Sequence, residues 1–155
     1  MKNGFAELKG TKVYLQNADM PWGILADFAI DEKSGRVMGA VVKTVSIIPV
    51  TGIVKLSDMR LIKGKRLEIN DISLFETFGR FSKEKRVLKM DKIKGIILSG
   101  SLIKKIKNIH FDMETGEICD AVVVKNIIAG KQTVLINKIS VKDNTIYAEN
   151  FKEEE

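Results

Sequence analysis

Cysteine is nearly missing from this sequence. Cys119 stands alone among 155 residues, so no disulfide can form within the chain. A single thiol suits a reducing compartment, and the expected location is the cytoplasm. Histidine is also single, at His110, and a structural zinc site would need four ligands where these two residues supply half. Only two prolines occur, which leaves little room for long disordered linkers. No run of 18 apolar residues is present, so no membrane-spanning helix is expected. The opening residues Met1-Lys-Asn-Gly-Phe-Ala-Glu7 lack the apolar core of a signal peptide.

The usual marks of catalysis are missing too. Gly35-Arg-Val-Met-Gly39 and Gly95-Ile-Ile-Leu-Ser-Gly100 lack the Lys-Ser/Thr that a phosphate loop places at a helix start. His110 and Cys119 have no orienting third group or glycine-rich elbow beside them. Asp31, Glu32, Asp112 and Glu114 fall in turn-like stretches rather than on facing elements of a cleft. No catalytic residue, cofactor or metal ligand is therefore assigned, and the chain is expected not to be an enzyme.

What is present is a repeat. Phe28-Ala-Ile-Asp-Glu-Lys-Ser-Gly-Arg-Val-Met-Gly-Ala-Val-Val-Lys43 returns as Ile109-His-Phe-Asp-Met-Glu-Thr-Gly-Glu-Ile-Cys-Asp-Ala-Val-Val-Val124. At one offset, Asp31 falls on Asp112, Ser34 on Thr115, Gly35 on Gly116 and Val37 on Ile118. The chain is two copies of one small unit. A unit of half this length buries too little surface to be robust alone, so the copies are expected to share an interface.

The pattern within each copy is β. Residues 12–15, 23–30, 36–45, 52–58, 59–62 and 66–69 read as strands of the first, with Ile24, Ala26, Phe28 and Ile30 on one face. In the second, 133–136, 139–141 and 145–148 are the later strands. Asp31-x-x-Ser-Gly35 and Asp112-x-x-Thr-Gly116 carry hairpin-turn chemistry: the carboxylate accepts backbone N–H groups and glycine takes positive φ. Lys63-Gly-Lys65 and Asp143-Asn144 are further turns. Ile72, Phe75 and Phe78 recur at a spacing of three, which suggests a short amphipathic helix or turn bridging the copies. Trp22 is expected to pack at the end of the sheet. Ser46-Ile-Ile-Pro-Val-Thr-Gly52 is an apolar loop, a docking tip if exposed.

Charge is uneven. Residues 60–107 hold 14 basic against 5 acidic side chains, out of 26 and 20 in the whole chain, so all the net charge of +6 arises there. Arg60, Lys63, Lys65, Arg66, Lys83, Lys85, Arg86, Lys104, Lys105 and Lys107 are the candidate partner or RNA surface, and Phe75, Phe78 and Phe81 could stack bases beside it. The competing account makes these lysines edge-strand gatekeepers and the phenylalanines an interface seal.

The segments Leu8-Lys-Gly-Thr-Lys-Val13, Trp22-Gly-Ile-Leu-Ala-Asp-Phe-Ala-Ile-Asp31, Ser34-Gly-Arg-Val37 and Ile53-Val-Lys-Leu-Ser-Asp58 resemble the PRC-barrel family. That family includes the cytoplasmic barrel of the photosynthetic reaction centre H subunit, the C-terminal domain of the ribosome maturation factor RimM, and small sporulation-associated proteins. The first copy matches over residues 8–69. The second, over about 93–149, keeps Gly95, Asp112, Thr115, Gly116 and Ile118, but has Lys104 and Asn108 where the first has Gly23 and Asp27. The resemblance implies an all-β protein of two tandem small barrels packed together: residues 1–72, a connecting segment 73–88, residues 89–150, and a frayed acidic tail 151–155. It implies a non-enzymatic adaptor docking on a protein or ribonucleoprotein partner. The alternative is an RNA- or ribosome-associated factor using the basic middle, and the third is a small-ligand or metal sensor. A homo-oligomer is compatible with each.

Overall fold

A computed structural model of the chain describes residues 2–62, 66–71, 73, 75–78, 80 and 86–150. The protein is all-β. The first copy contains β1 (Lys2–Gly4), one helical turn α1 (Phe5–Leu8), β2 (Lys12–Leu15), β3 (Gly23–Asp31), β4 (Val37–Thr44), β5 (Thr51–Lys55), a 3-10 turn at Leu56–Asp58, β6 (Met59–Ile62) and β7 (Arg66–Ile69), followed by the short β8 (Glu76–Thr77). Then come β9 (Val87–Lys89), a 3-10 turn at Met90–Lys92, β10 (Gly95–Leu98), β11 (Ser101–Ile103), β12 (Lys105–Asp112), β13 (Ile118–Val124), β14 (Lys131–Lys142) and β15 (Thr145–Asn150).

These strands make two sheets, ordered β6-β7-β2-β3-β4-β5-β8, with β9 added beside β3, and β1-β12-β13-β14-β15-β10-β11. Both hydrogen-bonded orders are open paths, and neither closes into a ring among the described residues. Corresponding strands pair alike: β2 runs parallel to β7, and β10 parallel to β15. β14 does the work of two strands, pairing β13 with its first half and β15 with its second. The expected break between residues 136 and 139 is instead a register shift between Asn137 and Ser140, where Lys138 takes a φ of 50°.

The sheets do not respect the order of the chain. Lys2, Asn3 and Gly4 of β1 pair with Asp112, Phe111 and His110 of the second copy. Val87, Leu88 and Lys89 of β9 pair with Asp31, Ile30 and Ala29 of the first. Asp31 and Asp112 are equivalent positions, so the two leading strands are exchanged reciprocally. Residues 2–4, expected in the first unit, thus sit in the second sheet, and 87–89, expected partly as connector, sit in the first.

One hydrophobic core runs through both copies. Leu25, Phe28, Ile30 and Leu67 share it with Ile96, Phe111, Val123 and Ile146, all fully buried. The rings of Phe28 and Phe111 meet edge to face with centroids 4.8 Å apart. The expected face of β3 shifts phase on the way. A register shift between Leu25 and Asp27 turns Leu25, Phe28 and Ile30 inward and leaves Ile24 exposed, since one extra residue in a strand swaps faces.

The connecting aromatics sit on the first sheet, Phe75 packed on the shared core and Phe78 beside Val87 and Lys89 of the exchanged β9. Phe75 stacks edge-on against Trp22 at 4.9 Å, and Phe78 covers a second cluster of Ala29, Val41 and Ile53. Both close the first sheet. The copies are joined by the exchanged strands and the shared core. Ile72, Phe81, Lys63-Gly64-Lys65 and the tail 151–155 lie outside the described residues.

Candidate functional site

The two hairpin turns form as their residues dictate. Asp31 accepts the backbone N–H of Lys33 at 3.1 Å and the hydroxyl of Ser34 at 3.0 Å. Asp112 accepts N–H groups of Glu114 at 2.7 Å and Thr115 at 3.2 Å, and these bonds hold its carboxyl below the usual carboxylate range. Gly35 and Gly116 have φ of 71° and 76°. Both turns point toward the joint between copies. A Cβ on Gly35 would lie 2.6 Å from the Ile139 carbonyl oxygen, and one on Gly116 only 2.0 Å from that of Val37. The Gly116 carbonyl also accepts the Val37 N–H at 2.8 Å. Asp31, Gly35, Asp112 and Gly116 are therefore structural.

The other ends of these hairpins carry the exposed apolar residues. In the loop between β4 and β5, Ile47 is fully exposed, and Val45, Ile48 and Val50 stand out with it. The Val45 N–H bonds the Trp22 carbonyl at 3.0 Å, which sets this loop beside the exposed Met20 loop. In the equivalent loop between β13 and β14, Ile127 and Ile128 are almost fully exposed. Leu102 on β11 is exposed and lines, with Leu98, Lys125 and Asn150, a recess of about 500 Å³. Each copy thus carries an exposed apolar loop at this end. The first tip was legible as an apolar loop. The second was missed, although Ile127-Ile128 follows β13 much as Ile47-Ile48 follows β4.

Six of the ten basic candidates, Arg60, Arg66, Arg86, Lys104, Lys105 and Lys107, are among the described residues. Lys104, Lys105 and Lys107 are exposed in or beside β12. Arg60 on β6 shares a recess with Met113 and Glu114, whereas Lys107 shares another with Lys9 and Asp91. Arg66 is occupied: it donates to Glu68 at 2.7 Å and to the Ala18 carbonyl at 2.5 Å, and lies over the Tyr14 ring at 3.9 Å. Arg86 is exposed just before β9. Lys63, Lys65, Lys83 and Lys85 lie outside the described residues.

Two polar clusters escaped the sequence because distant strands assemble them. His110 Nδ1 is 2.5 Å from an oxygen of the fully buried Asp120, whose other oxygen takes the Lys2 ammonium at 2.7 Å. This ion pair staples the exchanged strand β1 and raises the Lys2 pKa. Cys119 donates instead to the Glu117 carbonyl at 3.5 Å, and burial pushes its thiol up, away from nucleophilic character. The second cluster is Asp27 with Asp91. Asp27 is buried, its oxygens accept the N–H groups of Phe28 at 2.7 Å and Asp91 at 3.4 Å, and burial followed by the Asp91 side-chain hydrogen bond pushes its pKa up to about 7.

Among the described residues, no three His, Cys, Asp or Glu side chains gather to hold a metal, and no helix is long and apolar enough to cross a membrane. Searched against protein families and curated proteins, the chain matches no family and no curated protein.

Proposed function

We propose that this protein is a non-enzymatic adaptor of PRC-barrel type that docks on protein partners through the apolar tips of its two copies. The observation that carries this is the exposure of Ile47-Ile48 and Ile127-Ile128 at corresponding loops. Exposed isoleucine is costly in water, and an isolated case would need no explanation, but a clustered one at the same place in both copies marks a contact surface. The barrel assignment draws on the repeat motifs and on β14, which bends from one pairing partner to another as a curling sheet requires. Two tips on one rigid core make the molecule bivalent, so it would join two partners or bind a repeated one with avidity.

The test is affinity capture from native cells at low and high salt, with wild type, an Ile47→Asp/Ile48→Asp/Ile127→Asp/Ile128→Asp variant, and a Lys104→Glu/Lys105→Glu/Lys107→Glu variant. The adaptor account expects proteins that persist at high salt and are lost with the isoleucines. RNA that fades as salt rises and is lost with the lysines would replace it by the ribonucleoprotein account, because phosphate contacts act through counterion release.

A further inference from the structure

The two copies finish their sheets differently. In the first, β8 lies along the outer edge of β5, with Thr77 opposite Gly52 and Glu76 opposite Ile53. Phe75 comes just before it and seals that end of the sheet. Its ring meets Trp22 edge-on at 4.9 Å and stands where a Cβ on Gly52 would be. Gly52 and Ile53 are buried. In the second copy, the first half of β14 is the equivalent of β5. Lys43 and Val42 pair with Thr51 and Gly52, and Val124 and Val123 pair with Lys131 and Gln132. Gln132 and Thr133 thus take the places of Gly52 and Ile53, yet both are exposed. Among the described residues no strand pairs with their outer edge, because β15 joins β14 only from Ile136 onward.

The second copy also leaves open the end that Phe75 and Trp22 seal in the first. Ile103 pairs with Ile96, which pairs with Ile146, as Gly23 pairs with Val13, which pairs with Leu67. Leu102 therefore takes the place of Trp22, and it is 56% exposed. It lines the recess of about 500 Å³ with Leu98, Lys125 and Asn150. The recess lies beside the free edge: Lys125 follows Val124, the partner of Lys131, and Asn150 is the partner of Ile136. An unpaired row of N–H and C=O groups next to an apolar recess is what strand addition requires. Backbone bonds give attachment, and the side chain in the recess gives selection.

We propose that the outer edge of β14 and the Leu102 recess take an extended, acidic segment of a partner protein, which adds a strand beside Lys131–Leu135 and inserts one large apolar side chain beside Leu102. The acidity follows from Lys125, which lines the recess, and Lys131, which opens the strand. Both are exposed, and neither pairs with an acidic side chain among the described residues. The first copy carries such a segment in its own chain, where Phe75 is followed by Glu76 and Thr77. One difference sets where the inserted side chain goes. Gln132 has a Cβ where Gly52 has none, so a ring cannot lie over the strand as Phe75 does and enters the recess instead. This site goes beyond the exposed isoleucines of the loops, because it holds its partner by backbone hydrogen bonds as well as by apolar contact.

The probe is a blocked hexapeptide, Ser-Leu-Phe-Glu-Thr-Phe, the sequence of residues 73–78. Titrated into the full chain and followed by NMR, it should move the amides of Gln132 and Thr133 and the methyls of Leu102. Leu102→Asp in the protein, or Phe75→Ala in the peptide, should weaken binding at least about tenfold, the worth of one buried apolar side chain. Circular dichroism checks that Leu102→Asp is folded, and the peptide variants decide if it is not. Methylating alternate peptide nitrogens should abolish binding in one phase and spare it in the other, since an added strand bonds through every second residue. Equal effects of the two phases, or no saturable shifts at millimolar peptide, would overturn the proposal. So would shifts confined to Gly52 and Ile53, which mean displacement of β8. Contact of Phe151 with Leu102 in the free protein would give the recess to this chain's own end, and a dimer with Leu102 in its interface would give it to a second copy. Either result overturns the proposal. Capture through Ile47-Ile48 and Ile127-Ile128 is read separately by the isoleucine variant and stands or falls without it.

Discussion

At the residue scale, the most constrained positions are Gly35 and Gly116. Each combines a left-handed φ with a carbonyl oxygen of another segment where a Cβ would stand. Gly116→Val should destabilise by about 3–4 kcal/mol, and Gly35→Val by about 2–3 kcal/mol, from strain plus a forced shift of backbone. The ranking follows from the closer approach at Gly116, and thermal melts of the two variants check it. Wild-type-like melting of both would remove the turn from the account. These turns were fully legible in the sequence, because Asp-x-x-Ser/Thr-Gly closes its own hydrogen bonds within five residues. Asp27 was legible only as a difference between the copies. Its partner Asp91 was not, since nothing local says that a turn 64 residues onward will reach it.

The elements show the same division. Strands with strong valine and isoleucine content, such as β4 and β13, stand close to where the pattern put them. The face of β3 was misread because a bulge changes the phase of alternation, and bulges leave no clear mark in composition. β1 and β9 were invisible for a different reason. Each has three residues, too few to show a period, and each takes its place from the other copy. Lys2→Met tests the staple on β1. Asp120 keeps His110 but loses its cation in the buried position, so the expected loss is about 1–2 kcal/mol, moderated because Lys2 itself is half exposed. Chemical denaturation measures it, and no change would mean that β1 is held by its backbone alone. The tip loops are the opposite case. Ile47→Asp and Ile128→Asp each touch solvent only, so stability should hold within about 0.5 kcal/mol while partner capture fails.

At the scale of the whole molecule, the repeat foretold two similar units sharing an interface, and the core that unites Phe28 with Phe111 is that interface. The manner of joining was beyond the sequence. Exchanged strands make each sheet incomplete without the other copy, so residues 1–70 alone should be poorly folded or associate through the edge that β9 covers. A monomeric fragment that melts cooperatively would contradict this. The central claim is that the two copies are one cooperative body carrying two docking tips. The chain contains its own probes for it: Trp22, the single tryptophan, lies in the first copy, and Cys119, the single cysteine, in the second. Equilibrium denaturation followed by Trp22 fluorescence and, in parallel, by Cys119 labelling should give superimposable transitions with one midpoint. Two separate midpoints would show that the copies unfold independently, and would contradict the shared core and the exchanged strands together.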